Sequence, residues 1–335
     1  MRKMKKIKVK FVDCPFVEEN CLKILEKNYE VEISDTPDYA FFDYTNLKKC
    51  VDYDCIRILY IGENARPDFN LFDYAIGFDD IKFDNRYCHI PLYAMPNVAN
   101  QILKPALLKH EKVPSSSELA MKKFCCFVVS NGANANSVRQ RFFEKLNEYQ
   151  HVDSAGKFLN NMQDGWCVGP EDTREFVSNY KFQICFENSS CKGYTTEKLI
   201  GAWAAGVVPI YWGDPSVTEV FNPEAFVWVK DTTEEELDKA FQQVKYLNEN
   251  EKAYTNMLAQ PILKDMGNPP EYFAKDYLER YLLEIIDLPL DKALERTNAK
   301  DGWGAFYETD YLRHREMDQS KLISLIYRIR RRLKK

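Results

Sequence analysis

Residues 182–213 read FQICFENSSCKGYTTEKLIGAWAAGVVPIYWG, and this stretch decides the fold. The apolar run at 182–187 predicts a strand buried on both faces. The segment TEKLIGAWAA has the pattern of a helix that stops at Gly206, and VVPIYWG predicts the next strand. A strand, a helix and a second strand in this order indicate parallel strands joined by a crossover helix, which is typical of an α/β fold.

The same alternation occurs on both sides of this stretch. In the first third, KVKFVD, YAFFDY and RILYIG are predicted strands, and CLKILEKN is a predicted helix. Further along, FCCFVVS at 124–130 predicts another buried strand, and SVRQRFFEKLNEY predicts an amphipathic helix after a glycine-containing loop. Two α/β domains in series, with a cleft between them, are the simplest interpretation.

The predicted domain boundary lies in HEKVPSSSELAMKK (110–123), which is polar and contains a proline and a run of serines. A length of 335 residues suits two domains of ordinary size. We therefore expect a first domain at 1–111, a linker at 112–120, a second domain at 121–290 and a C-terminal extension at 291–335.

Composition argues against several classes of function. The net charge of −5 argues against nucleic acid as a partner, because a surface that tracks phosphates needs an excess of basic residues. The 10 Cys are scattered without a C-x-x-C pair and 4 His are present, which argues against a zinc site and favours reduced thiols in the cytosol. The N-terminal segment lacks the apolar core of a signal peptide, and no apolar run reaches about 18 residues, so we expect no membrane span.

Polar residues crowd between the strand and the helix of the opening stretch, from Glu187 to Lys198. In an open parallel sheet, ligands bind at the carboxyl ends of strands, where the following helix begins. Lys198 falls in the first turn of the predicted helix, where the helix dipole disfavours a cation, and this favours an anionic ligand. A capped helix with solvated charges explains the same residues without a ligand, so this stretch alone leaves both interpretations open.

The loop SNGANANSVRQR provides a second strand end of the same kind, with Arg139 in the first turns of the helix that follows. Two anion-facing strand ends in one domain indicate a diphosphate ligand. The pattern GxxxxGKS is absent, so this is not a P-loop, and no GxGxxG follows the first strand, so the dinucleotide fingerprint is absent as well.

Several segments resemble a known family. Residues 180–226 resemble the donor-binding motif of the α1,3-fucosyltransferases of glycosyltransferase family 10, and they are most similar to the bacterial enzymes of the Helicobacter lipopolysaccharide type. YIGENARPDFNLFDYAIGFD (60–79) resembles a second hallmark of that family, and NRYCHIPLY and VSNGANANSVRQRFFEKLN match it in order. The resemblance extends to about residue 290.

This resemblance implies a GT-B fold, that is, two facing Rossmann-like domains with an interdomain cleft. The C-terminal domain would bind GDP-fucose and the N-terminal domain would bind the acceptor sugar. Glu63 would be the general base, and Arg139 and Lys198 would stabilise the GDP leaving group. The donor-binding residues implied by motif position are Asn188, Tyr194, Glu197 on the ribose, Ser130, Asn131 and Trp166.

Members of the family invert the configuration of the transferred sugar. The implied reaction moves L-fucose from GDP-β-L-fucose to the 3-hydroxyl of N-acetylglucosamine, or of glucose, in Galβ1,4-GlcNAc-type acceptors, and forms Lewis X-type glycans on lipopolysaccharide. Three alternatives stay open: transfer from another nucleotide sugar, α1,4-linkage on type 1 chains, and a non-catalytic, membrane-associated glycan-binding protein.

No metal-binding pattern stands out beside the donor motif. The pattern D-x-D occurs as DYD at 52–54, in the other predicted domain, and Asp214 lies in a turn dipeptide and is interpreted as structural. We expect no required cofactor or metal, since Arg and Lys can supply the electrostatic stabilisation. Animal members of the family often respond to Mn²⁺, which leaves stimulation by that ion open.

Residues 321–335, KLISLIYRIRRRLKK, have a basic amphipathic pattern without a single acid. Such a helix suits an anionic membrane surface, and a solvated tail or docking on the protein body are the alternatives. We therefore expect a bacterial cytoplasmic protein, peripheral on the inner face of the inner membrane. Its expected partners are GDP-fucose, a β-galactoside or N-acetyllactosamine acceptor and anionic lipid, but no nucleic acid.

Overall fold

The computed structural model describes residues 4–132, 135–296 and 303–319. Its residues divide into two compact units. The first unit contains the described residues up to 77, residues 81–89 and the described residues from 278 onward, and the second contains residues 78–80 and 90–277. The amphipathic segment predicted at 321–335 lies outside the described residues.

Each unit is built on a parallel sheet. The strands of the first unit are β1 (Lys6–Phe11), β2 (Glu30–Ile33), β3 (Tyr39–Asp43), β4 (Ile56–Ile61), β5 (Tyr74–Gly77) and β6 (Tyr87–His89). Those of the second unit are β7 (Lys123–Phe127), β8 (Val152–Ser154), β9 (Tyr180–Phe186), β10 (Val208–Trp212) and β11 (Val227–Trp228). Within the described ranges, the strand orders are β2-β1-β3-β4-β5-β6 and β11-β10-β9-β7-β8, and the neighbouring strands pair in parallel.

Helices cross between the parallel strands. The α-helices are α1 (Pro15–Asn28), α2 (Pro96–Val98), α3 (Lys104–Leu107), α4 (Ser116–Ala120), α5 (Val138–Tyr149), α6 (Thr173–Ser178), α7 (Glu197–Ala204), α8 (Val217–Val220), α9 (Glu234–Glu249), α10 (Glu251–Leu258), α11 (Tyr277–Ile286), α12 (Leu290–Ala293) and α13 (Trp303–Gln319). A π-helical turn, Ala99–Leu103, joins α2 to α3, and a 3-10 segment, Tyr44–Asp52, follows β3. The helices predicted from SVRQRFFEKLNEY and TEKLIGAWAA are α5 and α7.

The central strands are covered on both faces. Every residue of β4 and every residue of β10 is buried, which agrees with their continuously apolar sequences. In the second unit, Phe142 and Leu146 of α5 and Leu237 and Val244 of α9 belong to the same apolar core as the strands. The α/β class predicted from the sequence is therefore confirmed.

The division into units differs from the predicted boundaries. Residues 90–111 belong to the second unit, because α3 packs on α7 and Lys109 donates to the carbonyl oxygen of Leu258 at 2.8 Å. The expected linker at 112–120 contains α4, whose first turn is closed by a capping box between Ser115 and Glu118. The polar run with proline and serine therefore marks the start of helix α4 and is not an unstructured linker.

The chain returns to the first unit at its C-terminal end. In α11, the Tyr281 hydroxyl donates to the carbonyl oxygen of Ala75 at 3.3 Å. Arg296, which is 4% exposed, forms an ion pair with the completely buried Asp73. Most of the segment predicted as the end of the second domain, 278–290, therefore packs on the first sheet.

Helix α13 also packs on the first unit, where its Glu308 pairs with Arg57 at 2.6 Å. Arg315 of the same helix pairs with Asp52 at 2.8 Å. Among the described residues, no helix combines the length and the apolarity needed to cross a bilayer.

Candidate functional site

Three neighbouring strands of the second sheet end at one edge, and polar residues follow each of them. Because β7, β9 and β10 are parallel and adjacent, their carboxyl ends meet at the same edge. Ser130 and Asn131 lie in the loop after β7, Glu187 follows β9, and Asp214 comes soon after β10. Open α/β sheets bind ligands at edges of this kind.

Glu187 is completely buried and connects the end of β9 to the start of α7. Its Oε1 accepts a hydrogen bond from the Thr196 backbone N–H at 2.8 Å, and the Thr196 hydroxyl lies 2.9 Å from Oε1 and 2.8 Å from Oε2. The Nζ of Lys198 lies 3.1 Å from Oε2. A buried carboxylate needs both a partner charge and hydrogen bonds, and these residues provide them.

Lys198 has a side chain that is 21% exposed. Its Nζ also donates to the Thr196 hydroxyl at 2.9 Å and lies 3.4 Å from Oε1 of Glu197. Burial acts to lower the pKa of Lys198, but attraction to Glu187 and Glu197 outweighs burial and raises this pKa well above its ordinary value. The side chain is therefore a persistent cation. Glu187 compensates the charge of Lys198 at the start of α7. The position of this cation at a helix start is therefore not by itself evidence for an anionic ligand.

The two carboxylates next to Lys198 differ in their surroundings. Burial raises the pKa of Glu187, while Lys198 and the hydrogen bonds from Thr196 act in the opposite direction. The side chain of Glu197 is 47% exposed. Burial acts to raise its pKa as well, but the Lys198 ammonium and hydrogen bonds at the helix start give a net lowering. Glu197 is thus an accessible carboxylate that can accept hydrogen bonds from hydroxyl groups.

A glycine after β10 makes room for Glu187. Gly213 has a φ of +155°, and a Cβ added there would lie 2.4 Å from Cγ of Glu187. The backbone N–H of Glu187 also donates to the carbonyl oxygen of Trp212 at 2.8 Å. The turn after β10 therefore packs directly on the carboxylate that holds Lys198.

Arg139, on the first turn of α5, is completely buried and joins the loops after β7 and β9. Its Nε and Nη2 donate to the carbonyl oxygen of Phe186 at 3.0 and 2.5 Å, and its Nη1 donates to that of Asn131 at 3.3 Å. In this arrangement the guanidinium holds two strand ends together. Its charge lies beneath the edge of the sheet, while its N–H groups bond protein carbonyls.

The loop after β7 is tied to the loop after β9 at a second point. The backbone N–H of Asn136 donates to the carbonyl oxygen of Asn188 at 3.0 Å. Gly132 packs on the ring of Phe158, since a Cβ at this glycine would lie 2.1 Å from a ring carbon. Asn131 and Ser130 are exposed. The sequence-predicted residues Arg139, Asn131 and Asn188 are therefore brought together at the strand ends.

Tyr194 and its neighbours form the turn that leads into α7. The Tyr194 ring is 2% exposed and packs edge-to-face on Phe78, with centroids 5.1 Å apart. Asp214 accepts hydrogen bonds from the Gly193 N–H at 2.9 Å and the Thr195 hydroxyl at 3.0 Å. Asp214 therefore organises this turn, in agreement with its interpretation as a structural residue.

Trp166 lies on the long loop between β8 and α6 and is 48% exposed. Its indole packs on Phe176, with centroids 5.7 Å apart, and its carbonyl oxygen accepts from Asn160 at 3.0 Å. These contacts are separate from the hydrogen bonds that join Arg139 and Lys198 to their partners. The same Asn160 side chain donates to the carbonyl oxygen of Gly156 at 2.8 Å, and Gly156 packs on the backbone of Val129, next to Ser130 in the loop after β7. A contact between Trp166 and the donor stays a prediction.

Glu63 belongs to the first unit, two residues after the end of β4. Its side chain is exposed, and its carbonyl oxygen accepts from the backbone N–H of Ala65 at 2.7 Å in a tight turn. The predicted placement of this acid directly after a buried strand is confirmed.

Two residues of this site were not predicted from the sequence. The sequence pattern assigns no role to Glu187, the first residue of the polar stretch, and it places Thr196 only at the start of a predicted helix. A signal was present, since an acid directly after an apolar strand must find a partner, and Lys198 follows in the same stretch. Among the residues that the structure describes, no group of three or more His, Cys, Asp or Glu is placed to hold a metal ion.

Two family models match the chain in the expected order. The model of the Alpha-(1,3)-fucosyltransferase FucT N-terminal domain matches residues 9–96, and that of Glycosyltransferase family 10 (fucosyltransferase) C-term matches residues 119–259. Together they match more than half of the chain. The chain belongs to glycosyltransferase family 10. The first model includes Glu63, and the second includes Arg139, Glu187 and Lys198.

Individual relatives agree with this membership. The chain is 34% identical over 283 residues to the Alpha-(1,3)-fucosyltransferase FucT of Helicobacter pylori, and the match covers 75% of this chain and 57% of that protein. A crystal structure of an α1,3-fucosyltransferase has a TM-score of 0.71 at 28% identity, covering 88% of this chain and 93% of that one. A structure of an α1,3-fucosyltransferase with GDP-fucose has a TM-score of 0.66 at 28% identity, covering 89% and 94%. The predicted GT-B-type architecture of two Rossmann-like units is confirmed.

Proposed function

We propose that this member of glycosyltransferase family 10 is an inverting fucosyltransferase. It transfers L-fucose from GDP-β-L-fucose to the 3-hydroxyl of N-acetylglucosamine, or of glucose, in Galβ1,4-GlcNAc-type acceptors, and forms Lewis X-type glycans on lipopolysaccharide. The observation that carries the proposal is the cation pair at the carboxyl edge of the second sheet, in a fold that a related α1,3-fucosyltransferase uses with GDP-fucose.

The chemistry of the donor explains why cations are needed. Breaking the bond between fucose C1 and the β-phosphate leaves negative charge on GDP. A fixed positive charge that interacts more strongly with the developing charge than with the intact donor lowers the barrier. Lys198, partly exposed and charged, would contact the diphosphate. Arg139 would contribute its buried charge and hold the Asn131 and Phe186 carbonyls in place.

The remaining donor contacts follow from exposure and hydrogen-bonding capacity. Glu197 would accept hydrogen bonds from the ribose hydroxyls. Asn188, Ser130 and Asn131 would contact the nucleotide sugar from the loops after β9 and β7. Tyr194 would support the donor through the turn that it anchors on Phe78. Trp166, about half exposed on the loop after β8, would contact the nucleotide.

Glu63 is the proposed general base. The acceptor hydroxyl is a weak nucleophile because its pKa is high, and a carboxylate within hydrogen-bond reach could accept its proton and contribute roughly 10²–10⁴-fold. An exposed carboxylate at the end of a parallel strand supports this role. No metal is assigned a step, since Lys198 and Arg139 supply the positive charge.

The proposed location is the cytoplasmic face of the bacterial inner membrane. The support is the sequence of 321–335, where basic residues accompany an apolar stripe. The net charge of −5 on the whole chain argues against nucleic acid as a partner.

The test is a donor and acceptor panel with the purified chain. We expect transfer from GDP-fucose to N-acetyllactosamine, with and without Mn²⁺, and NMR of the product showing an α1,3-linkage. Preference for GDP-mannose or a UDP-sugar would overturn the donor assignment, and an α1,4-linkage on type 1 chains would overturn the acceptor assignment. Sugar binding without release of GDP from any donor would identify a glycan-binding protein instead.

A further inference from the structure

We propose that Glu187 is a positioning residue for Lys198, and that it keeps the Lys198 side chain charged and fixed at the carboxyl edge of the second sheet. This role rests on the proposed function for the identity of the anionic ligand. The contact between the two residues can be tested without that ligand. Glu187 itself touches no reacting atom, because its side chain has no exposed surface.

Three neighbouring groups fix Glu187 through its backbone, its carboxylate and its side-chain carbons. Its backbone N–H donates to Trp212 of β10, and its Oε1 accepts from the Thr196 N–H. Gly213 packs on Cβ and Cγ of Glu187, so no side chain larger than that of glycine fits at position 213. A carboxylate fixed in this way fixes the ammonium group that it binds, and thereby reduces the side-chain entropy that Lys198 would lose on binding a ligand.

The Thr196 hydroxyl also stabilises the ion pair between Glu187 and Lys198. Thr196 is the N-cap residue of α7, but its side chain makes no capping hydrogen bond. It contacts Glu187 and Lys198 instead, at distances of 2.8 to 2.9 Å. The Thr196 side chain thus stabilises the ion pair instead of capping the helix.

Charged and titratable groups face Lys198 from each element packed around it. Glu187 and Cys185 approach from β9, Glu197 from α7 and Tyr194 from the preceding turn. Arg139 of α5 and Tyr211 of β10 act on Glu187. Within this set, Glu187 is the carboxylate with no exposed surface, so its attraction to Lys198 is screened least.

Removal of the Glu187 charge should therefore change the protonation of Lys198. Burial acts to lower the pKa of Lys198, and Glu187 is the strongest influence that opposes burial. In a Glu187→Gln variant the pKa of Lys198 falls, and the side chain loses its proton as the pH rises. A neutral amine cannot stabilise a departing diphosphate, so activity is lost at alkaline pH in the variant but not in the wild type.

The experiment has one readout that requires activity and one that does not. The kcat and KM for GDP-fucose are measured from about pH 6 to about pH 11, a range that includes the ordinary lysine pKa of about 10.4. In parallel, the reactivity of the Lys198 amine towards acetic anhydride is followed by mass spectrometry of the nucleotide-free protein. We expect kcat to fall by about 10- to 100-fold, the loss typical when the hydrogen-bond partner of a metal-binding side chain is removed. We also expect Lys198 to be acetylated at lower pH than in the wild type.

A matched control exists in the same unit. Asp153 is a buried carboxylate that pairs with Lys123 at 2.8 Å and accepts from the Tyr180 hydroxyl at 2.6 Å. The Asp153→Asn variant also loses a carboxylate–lysine pair, although Lys123 is 63% exposed and Lys198 is 21% exposed. We expect it to lower stability without shifting either the pH profile or the reactivity of Lys198.

Glu187→Asp provides a second variant in case Glu187→Gln does not fold. The shorter side chain retains the charge but places it farther from Lys198. We expect a smaller shift of the pH at which Lys198 is acetylated, in the same direction. Unchanged Lys198 reactivity in both variants would overturn the proposal, as would losses of kcat that follow stability equally in the Glu187 and Asp153 variants. A shift in reactivity in a protein that transfers no fucose would support the positioning role and reject the proposed function.

Discussion

Nζ of Lys198 lies 3.1 Å from Oε2 of Glu187, a carboxylate with no exposed surface. The cation stands at the start of α7, where the helix dipole opposes it, and the carboxylate removes that conflict. This pair joins the end of β9 to the beginning of α7. Its coupling energy is therefore expected to exceed that of a surface ion pair.

A double-mutant cycle measures this coupling. Removing one partner leaves an unpaired charge in the interior, so Lys198→Met is expected to cost about 3–5 kcal/mol in the free energy of unfolding. Lys198→Met combined with Glu187→Gln is expected to cost clearly less than the sum of the single variants, as measured by urea unfolding. The control cycle uses Lys239 and Glu235, whose side chains are 60% and 78% exposed, and its coupling should be much smaller because solvent screens this pair. Additive losses at Lys198 and Glu187 would contradict this view.

Even a lysine at position 139 is expected to lower the free energy of unfolding. Lysine retains the charge but cannot reach the Phe186 and Asn131 carbonyls together, so Arg139→Lys should cost about 3 kcal/mol of unfolding free energy. The control is Arg141→Lys on the same helix, where the side chain is 38% exposed and pairs with Glu234. That change should cost less than about 1 kcal/mol. Equal thermal unfolding midpoints for the two variants would show that Arg139 does not hold the loops together.

Two glycines near α7 should respond in opposite ways to alanine. At Gly213 the new Cβ would lie 2.4 Å from Cγ of Glu187, and the expected cost is about 1–3 kcal/mol with weaker binding of GDP. At Gly201, inside α7, a Cβ meets no heavy atom within 4 Å, so alanine should stabilise the helix by about 0.5–1 kcal/mol. Calorimetric titration of GDP and denaturant unfolding of both variants check these outcomes. Unimpaired GDP binding by Gly213→Ala would separate this turn from the donor site.

Glu63→Gln is expected to reduce transfer without affecting the fold. The amide cannot accept the proton of the acceptor hydroxyl, so kcat should fall by roughly 10²–10⁴-fold while binding of GDP is retained. Glu26→Gln, at an exposed position of α1, serves as the control and should leave kcat unchanged. Steady-state kinetics with N-acetyllactosamine distinguishes the two variants. Turnover by Glu63→Gln at the rate of the wild type would remove this acid from the proposed mechanism.

Lys109 should make the stability rise with pH over a defined range. Burial lowers the pKa of Lys109 to about 8 from its ordinary value of 10.5. Between these two values the unfolded chain holds a proton that the folded chain has released, so this group adds stability as the pH increases from about 8 to about 10.5. Lys109→Met should abolish that part of the slope in urea unfolding, whereas replacement of the exposed Lys112 should retain it. A slope that is the same in both variants would exclude Lys109 as its source.

Local sequence patterns determined the type and order of the main elements. Continuous apolar runs predicted β4, β7, β9 and β10, and the β-α-β order around 182–213 predicted a parallel sheet. The polar residues that follow β9 and the loop that contains Asn131 were predicted to lie at the same edge. These predictions succeeded because they depend on periodicity and on the direction of parallel strands, both of which are local properties of the chain.

Tertiary structure alone decided which charges pair and where the chain crosses between units. The compensation of Lys198 by Glu187, the donation by Arg139 to two carbonyls, and the return of Arg296 to Asp73 join residues 8 to 223 positions apart in the sequence. No periodicity encodes such contacts, since each depends on burial and on the distance between atoms after folding. From the sequence, Lys198 therefore indicated an anionic ligand. The structure shows that Glu187 is an anionic partner of Lys198 within the protein itself.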